Sequence, residues 1–188
     1  MEQEKFLITG ATGQLGYALH LAFGSEEGNS MPRAREAFDI TSPKVLSWLP
    51  KMRPDAVINC AAYTDVHGAE QDPERCWQIN VLGVEQLCKA CVKAEVPLVH
   101  ISTDYVFGLC SKRKAAFRGG CLNGYSEEIE AIHEELYYKE TDPICPCGTY
   151  GNSKAAAEHT ILRYAAVYPD FQYYIVRTAG LFERPWRQ

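Results

Sequence analysis

Tyr150 and Lys154 are the two side chains of this sequence that are best placed to transfer a proton. They are four residues apart at the start of a predicted helix, so their side chains emerge on one face of that helix. A tyrosine has a pKa of about 10, and a neighbouring ammonium group stabilises its phenolate. We interpret Tyr150, tuned by Lys154, as a candidate general acid that protonates the oxygen of a carbonyl group whose carbon receives hydride. The alternative is an ordinary start of an amphipathic helix.

Thr103 is a third candidate, in the Ser-Thr-Asp-Tyr segment at 102–105, which follows a short apolar run. In open α/β sheets, ligands bind beyond the carboxyl ends of the strands, so hydroxyl groups at such an end would face the cleft. Thr103 could donate a hydrogen bond to the reacting oxygen. The same segment could instead be a capped strand end in which Asp104 bonds local N–H groups.

Three glycines near the start of the chain, Gly10, Gly13 and Gly16, lie between a predicted strand and a predicted helix. Glycines permit a tight turn and a close approach of the backbone to a ligand. The free N–H groups and the dipole of the following helix favour an anion. This arrangement predicts a binding site for the pyrophosphate of a dinucleotide.

The choice of dinucleotide depends on the residues after the second strand. An acidic residue there binds the ribose hydroxyls of NAD, whereas an arginine accommodates the extra phosphate of NADP. Arg33 and Arg35 fall in this neighbourhood, which favours NADP over NAD; the alternative is that both arginines are simply exposed. Asp39 and Ile40 could flank the adenine, or Asp39 could cap the turn before Pro43.

Short apolar runs alternate with helix-length amphipathic stretches, which predicts a doubly wound parallel sheet of the Rossmann type, in the α/β class. The predicted strands are 5–9, 55–62, 96–102 and 173–178, with a further strand within 24–37, and the predicted helices are 14–23, 73–94 and 151–167. A long connection at about 108–140 interrupts this alternation. Connections of that length are lids, binding elements or flexible inserts.

Length and composition favour one domain over residues 1–188. A net charge of -5 makes nucleic acid an unexpected partner, and the sequence has no apolar run long enough to cross a membrane. The eight cysteines are spread through apolar or helical segments, which favours reduced thiols and a cytoplasmic location. The pair Cys88/Cys91 lies inside a helical pattern and no second pair with the spacing of a zinc finger follows it, while Cys145/Cys147 lies in a proline-rich loop, so no metal is expected.

Four segments together carry a family resemblance. They are Ile-Thr-Gly-Ala-Thr-Gly-Gln-Leu-Gly at 8–16, Asn-Cys-Ala-Ala-Tyr-Thr at 59–64, Ser-Thr-Asp-Tyr-Val-Phe-Gly at 102–108, and Tyr-Gly-Asn-Ser-Lys at 150–154 with Glu158. With these motifs the chain resembles the extended short-chain dehydrogenase/reductases, and within them the dTDP-4-dehydrorhamnose reductase-like group. The resemblance implies reduction of a nucleotide-linked 4-keto-6-deoxy sugar by NADPH or NADH.

The resemblance also implies roles for individual residues. Thr103, Tyr150 and Lys154 would be the catalytic group, with Thr103, Asp104 and Tyr105 close to the sugar. The residues that would line the cofactor are Gly10, Gly13, Gln14, Leu15, Gly16, Arg33, Arg35, Asp39, Ile40, Ala61, Ala62, Tyr63, Asn80, Tyr150 and Lys154. Asn59 is interpreted as a hydrogen-bonding residue at a strand end.

The chain departs from this group in three ways. Members usually continue into a separate substrate domain, which would be largely missing here. The connection before Tyr150 is longer than usual, and His67 and Gly68 replace an acidic and a basic residue. Two alternatives therefore stay open: a non-catalytic NADP-binding protein similar to the regulatory beta subunit of methionine adenosyltransferase, with a protein partner, or a shortened chain with little activity. A homodimer is also compatible with the sequence.

Overall fold

The computed structural model describes residues 4–23, 29–108 and 138–181. In this part of the chain a parallel sheet has the strand order β2-β1-β3-β4-β5. The strands are β1 (Phe6–Thr9), β2 (Ser30–Arg33), β3 (Ala56–Asn59), β4 (Leu98–Thr103) and β5 (Tyr173–Thr178). The helices are α1 (Gln14–Ala22), α2 (Val45–Met52), α3 (Val66–Gln71), α4 (Pro73–Trp77), α5 (Gly83–Ala94) and α6 (Gly148–Val167). The predicted doubly wound α/β fold is confirmed.

The register of the sheet decides which residues meet at its carboxyl edge. Thr9 at the end of β1 pairs with Arg33 of β2 on one side and with Asn59 of β3 on the other. Thr103 at the end of β4 pairs with Thr178 of β5. Because all the strands are parallel, these polar residues lie along one edge, where ligands of open α/β sheets bind.

The hydrophobic core lies between the sheet and the helices α2, α5 and α6, of which α5 contacts both of the others. Helix α1 packs separately against β1 and β2. Fully buried core side chains are Leu7, Leu49, Val57, Leu87, Leu98 and Ile161. Each such side chain stabilises the fold by about 1.5–3 kcal/mol relative to an exposed one. This packing fixes α6, which carries Tyr150 and Lys154, against β4 and β5.

A buried ion pair joins α6 to β5. Glu158 is fully buried, and its Oε2 accepts a hydrogen bond from Nη2 of Arg177 at 2.7 Å. Its Oε1 accepts from Nε of Arg177 at 3.0 Å and from the Ser102 hydroxyl at 2.5 Å. Since Ser102 precedes Thr103 on β4, one carboxylate connects α6 with β4 and β5.

The helix predicted over 73–94 is not a single regular helix. It comprises α4, a π-helical turn over Gln78–Leu82 and α5. Such wide turns are rare and occur frequently at functional sites. The π-helical turn contains Asn80, whose side chain is 1% exposed and points into the protein.

The strand expected within 24–37 is present as β2, although Pro32 lies inside it. Proline fits there because β2 is at the edge of the sheet. Helices α2 and α3 were not among the predicted elements. Helix α2 contains Pro50, and α3 is capped by Asp65, whose Oδ1 accepts from the Gly68 N–H at 2.8 Å.

Several predictions fall partly or wholly outside the described residues. Most of the long connection at 108–140 does so, as do the segments 1–3, 24–28 and 182–188. Among the helices that the structure describes, none is both long and apolar enough to cross a membrane. Within the same residues, no group of three or more His, Cys, Asp or Glu side chains is arranged to hold a metal ion. Cys88 and Cys91 are buried free thiols, and Cys145 and Cys147 are exposed free thiols.

Candidate dinucleotide and catalytic site

A cleft of about 610 Å³ opens at the carboxyl edge of the sheet. Its volume is in the range of ligand-binding pockets. The predicted site residues that line it are Gly10, Gly13, Gln14, Leu15, Gly16, Arg35, Asp39, Ile40, Ala61, Ala62, Thr103, Asp104, Tyr105, Tyr150 and Lys154. Arg33, Tyr63 and Asn80 are not among the lining residues. The cleft thus brings together the glycine turn and the catalytic group predicted from the sequence.

The glycine turn has the geometry that a pyrophosphate requires. Gly10 has a φ of +64°, and a Cβ atom there would lie 2.7 Å from the backbone nitrogen of Ala61. A Cβ atom on Gly16 would collide with the carbonyl oxygen of Gly10. Helix α1 begins after Gly13 with no side-chain cap and no acidic residue in its first turn. Its first N–H groups therefore point to the cleft as donors for an anion, and the donor set fits the phosphates of a dinucleotide.

The two arginines that favoured NADP occupy different environments. Arg35 lines the cleft, is exposed, and its Nε lies 3.3 Å from Oδ2 of Asp39. Arg33 donates to the carbonyl oxygen of Pro32 at 3.0 Å and does not line the cleft. Of the two arginines, only Arg35 therefore lies where it can contact a ligand in the cleft.

Asp39 is held in place by its own turn. Its Oδ1 accepts from the backbone N–H of Thr41 at 2.9 Å and from the Thr41 hydroxyl at 2.7 Å. Partial burial raises the pKa of Asp39, but the hydrogen bonds from Thr41 and Arg35 outweigh it, and the net shift is downward. Asp39 therefore both caps the turn before Pro43 and lines the cleft, so the two interpretations of this residue are compatible.

Asn80 was expected to line the cofactor, and the structure corrects this placement. The side chain is buried behind the wall of the cleft, where Nδ2 donates to the carbonyl oxygen of Tyr63 at 3.0 Å. The Tyr63 N–H donates back to Oδ1 of Asn80 at 2.8 Å. Nδ2 also lies 2.9 Å from the hydroxyl oxygen of Ser153. Asn80 thus joins the segment after β3 to the helix that carries Tyr150 and Lys154.

Tyr150 lies at the cleft with 8% of its surface exposed. Its ring contacts that of Tyr105 edge to face, with ring centroids 5.5 Å apart. Burial raises the pKa of Tyr150, and a hydrogen bond with Thr103 only partly opposes this shift. Burial is thus the largest influence on the pKa of Tyr150, and the tuning of Tyr150 by Lys154 stays a prediction.

Lys154 is almost completely buried, with 2% exposed. Its Nζ donates to the carbonyl oxygen of Ile101 at 2.7 Å and lies 3.4 Å from Nε2 of His100. Burial lowers the pKa of Lys154 from 10.5 to about 8, although Glu158 opposes this shift. The hydrogen bonds of the amine thus fix it to β4, while both Lys154 and Tyr150 line the cleft.

His100 and Asn59 complete a hydrogen-bonded chain below the cleft. The Thr9 hydroxyl lies 2.6 Å from Oδ1 of Asn59, and Nδ2 of Asn59 lies 3.0 Å from Nδ1 of His100. The prediction that Asn59 is a strand-end hydrogen-bonding residue is confirmed. His100 was not predicted as a site residue, because nothing in a short apolar strand shows which neighbour a buried histidine will meet.

The start of helix α6 is stabilised from outside the helix. Glu70 of α3 accepts from the Thr149 N–H at 2.6 Å and from the Thr149 hydroxyl at 2.8 Å. The hydrogen bond from the Thr149 N–H is the main reason that the pKa of Glu70 is lowered. A carboxylate at a helix N-terminus is favourable, and this one fixes the turn that precedes Tyr150.

A parallel sheet with a glycine turn before its first helix, and with threonine, tyrosine and lysine side chains at its carboxyl edge, defines the class of the short-chain dehydrogenase/reductases. The family model described as the RmlD substrate binding domain matches residues 4–187, and the chain belongs to this family.

Individual relatives agree with this assignment. The chain is 35% identical over 179 residues to dTDP-4-dehydrorhamnose reductase of Mycobacterium tuberculosis, covering 95% of this chain and 51% of the relative. For the Escherichia coli K12 protein of that name, identity is 30% over 170 residues, or 88% of this chain and 49% of the relative. A crystal structure of dTDP-4-dehydrorhamnose reductase from Bacillus anthracis in complex with NADP superimposes with a TM-score of 0.74 at 32% identity, covering 97% of this chain and 55% of that one. The chain spans about half the length of these relatives.

Proposed function

We propose that this chain binds NADPH in the cleft and acts in the reduction of a nucleotide-linked 4-keto-6-deoxy sugar to the alcohol. One observation carries the proposal: Thr103, Tyr150 and Lys154 line the same cleft as the glycine turn. Either feature alone has simpler explanations. A dinucleotide-binding turn and a proton donor in one cleft are what a carbonyl reduction requires.

When bound, NADPH would supply the hydride for the carbonyl carbon. In our proposal the Tyr150 hydroxyl donates its proton to the carbonyl oxygen, and the raised pKa of Tyr150 keeps this proton in place at neutral pH. The Thr103 hydroxyl stabilises the same oxygen by a hydrogen bond. Lys154 binds the ribose next to the reacting ring and compensates the charge that Tyr150 develops. Asp104 and Tyr105, which line the cleft, contact the sugar.

Arg35 supports NADPH over NADH in this proposal. Its guanidinium group is exposed at the cleft, where it can pair with a 2′-phosphate. The Bacillus anthracis relative was crystallised with NADP, which agrees with this choice. Arg33 does not contribute to this selectivity for NADPH, since its side chain donates a hydrogen bond to the backbone outside the cleft.

The nucleotide sugar as substrate is supported by the names of the relatives and by Tyr105, which lines the cleft and is 49% exposed. These names also favour the reductase over a regulatory NADP-binding protein, because the relatives described above are reductases. The presence of all three catalytic groups in one cleft argues in the same direction. The single domain, the cytoplasmic location and a protein partner or homodimer stay predictions from the sequence.

The direct test of the proposed reaction is a turnover assay with NADPH and a dTDP-linked 4-keto-6-deoxy sugar. We expect oxidation of NADPH that depends on the sugar and yields the corresponding alcohol, detected by mass spectrometry. Tight NADPH binding without any sugar-dependent oxidation would reject the reductase in favour of a regulatory protein. Failure to bind NADPH would reject both functions.

A further inference from the structure

A chain of buried polar side chains crosses three strands and ends at Lys154. It runs from Thr9 on β1 through Asn59 on β3 and His100 on β4, with successive distances of 2.6, 3.0 and 3.4 Å up to Nζ of Lys154. All four side chains are buried, with exposures of 0 to 2%. The other end touches the cleft wall, since the Ala61 N–H lies 3.4 Å from the Thr9 hydroxyl oxygen. Polar side chains buried this deeply must have their hydrogen bonds satisfied.

The number of protons on the imidazole restricts the direction of the hydrogen bonds in this series of side chains. A neutral histidine carries one N–H and one acceptor nitrogen, and an ammonium group can only donate. When Lys154 is an ammonium ion, Nε2 of His100 must accept, so Nδ1 carries the proton and donates to the amide oxygen of Asn59. When Lys154 is a neutral amine, Nε2 can donate to Nζ, and Nδ1 then accepts from Nδ2 of Asn59.

We propose that His100 is a positioning residue for Lys154, and that its imidazole exchanges one tautomer for the other, with rotation of the Asn59 amide, when Lys154 gains or loses a proton. When Lys154 releases its proton, Nδ1 of His100 also gives up one proton to solvent and Nε2 takes one up, so the imidazole stays neutral and the net change is the single proton of Lys154; the reverse occurs when Lys154 is protonated. In both connections the Ile101 carbonyl oxygen, the imidazole and the Asn59 amide keep hydrogen-bond partners, because the amide rotation exchanges Oδ1 and Nδ2 between His100 and the Thr9 hydroxyl. The amine therefore keeps its position at the cleft in both charge states.

The surroundings of both groups allow this exchange near neutral pH. The groups that face Lys154 are Glu158 on its own helix, Cys76 from α4, Cys60 from the segment after β3, and His100 from β4. Burial lowers the pKa of Lys154 to about 8, so both of its charge states occur in an accessible range. Complete burial, together with the charge of Lys154, holds the pKa of His100 well below its usual value, which keeps the imidazole neutral throughout.

The functional consequence rests on the proposed reduction. Tyr150 must recover a proton after each turnover, and Lys154 lies on the same face of α6. With the tautomer exchange, Lys154 can change its charge during this cycle without leaving the ribose site. The link from Thr9 to Ala61 further predicts that the wall of the cofactor cleft stays fixed in both states.

The test is NMR spectroscopy of the chain labelled with ¹⁵N-histidine, recorded between pH 6 and 10 without cofactor or sugar. The chain has five histidines, and a His100→Gln variant assigns the His100 signals. We expect the protonated nitrogen to change from Nδ1 at low pH to Nε2 at high pH, with a midpoint near the Lys154 pKa of about 8. The exposed His159 provides an internal reference for an imidazole in contact with solvent.

Two variants make the outcome specific. Lys154→Met should abolish the midpoint, and Asn59→Asp, which offers only acceptor oxygens when ionised, should hold His100 in the Nδ1–H form across the whole range. A single tautomer at all pH values in the unsubstituted chain would overturn the inference, and so would conversion of His100 to an imidazolium ion. The measurement needs no turnover. If the tautomer exchange is observed but the chain has no reductase activity, the proposed function is rejected and the role of His100 stands.

Discussion

Asn80 and Tyr63 exchange two hydrogen bonds, from the Tyr63 N–H to the amide oxygen at 2.8 Å and from the amide nitrogen to the Tyr63 carbonyl oxygen at 3.0 Å. The same amide nitrogen contacts the hydroxyl of Ser153, between Tyr150 and Lys154 on α6. A single side chain thus sets the distance between the cofactor wall of the cleft and the catalytic helix.

Replacing this side chain should affect both stability and cofactor binding. Asn80→Ala leaves the N–H and the carbonyl group of Tyr63 without their partner, which costs about 1–3 kcal/mol of unfolding free energy. We also expect weaker NADPH binding, because the wall at Ala61 and Ala62 loses its support. Urea denaturation and fluorescence titration measure the two effects. Gln71→Ala on the exposed surface of α3 is the control and should change neither quantity. If Asn80→Ala has as little effect as the control on unfolding free energy and NADPH affinity, Asn80 does not support the cleft wall.

Tyr150→Phe separates catalysis from binding. Loss of the general acid should lower kcat by about 10²–10⁴-fold. NADPH affinity should change little, since the ring and its edge-to-face contact with Tyr105 are retained. Steady-state kinetics on the sugar and a separate NADPH titration provide the two readouts. Tyr17→Phe, on the exposed part of α1, should leave both values unchanged. Full turnover by the Tyr150 variant would show that another group supplies the proton.

Arg35→Leu tests the selectivity for NADPH. NADPH carries a 2′-phosphate that NADH lacks, and a charge-assisted hydrogen bond from the exposed guanidinium group to this phosphate would contribute about 1.5–3 kcal/mol. We expect the Kd for NADPH to rise about tenfold or more and the Kd for NADH to stay nearly constant. Arg33→Leu should change neither value. Equal losses for both cofactors in the Arg35 variant would mean that this residue supports the turn at Asp39 and does not read the phosphate.

Lys154 should make the stability of the chain depend on pH in a defined direction. Its pKa falls from 10.5 to about 8 on folding, so the unfolded chain binds more protons between these values. The unfolding free energy contributed by this group therefore rises with pH in this window, and the cost of burying the ammonium is complete below about pH 8.

Lys154→Met removes that cost. We expect the variant to be more stable than the parent chain by about 1–3 kcal/mol at pH 7, with a smaller difference at pH 10. Denaturation at both pH values measures this, and Lys51→Met on the exposed side of α2 should alter stability little at either. A Lys154 variant that is destabilised equally at the two pH values would indicate that the amine is held by favourable contacts and not penalised by burial.

The sequence predicted the part of the fold that local patterns encode. The glycine turn, the buried strands and the helix with Tyr150 and Lys154 follow from apolar runs and glycine spacing. Helix α2 was missed because Pro50 argues against a helix, and β2 was poorly defined because an edge strand needs few apolar residues.

The contacts within the site were harder to predict because they depend on residues far apart in the sequence. The spacing of Tyr150 and Lys154 places them on one helical face, but the direction of the lysine amine is set by β4. Asn80 was assigned to the cofactor, although its partners Tyr63 and Ser153 lie 17 and 73 residues away. Likewise, the separation of Arg35 from Arg33 depends on how the chain leaves the edge strand.

The measurement that tests the central claim most directly is a parallel titration of the chain with NADPH and NADH, in which binding is detected by protein fluorescence or calorimetry. We predict saturable binding of one dinucleotide per chain, with NADPH binding at least tenfold more tightly, and loss of this preference in Arg35→Leu. Binding that is absent for both dinucleotides would contradict the assignment of the cleft at Gly10, Gly13 and Gly16.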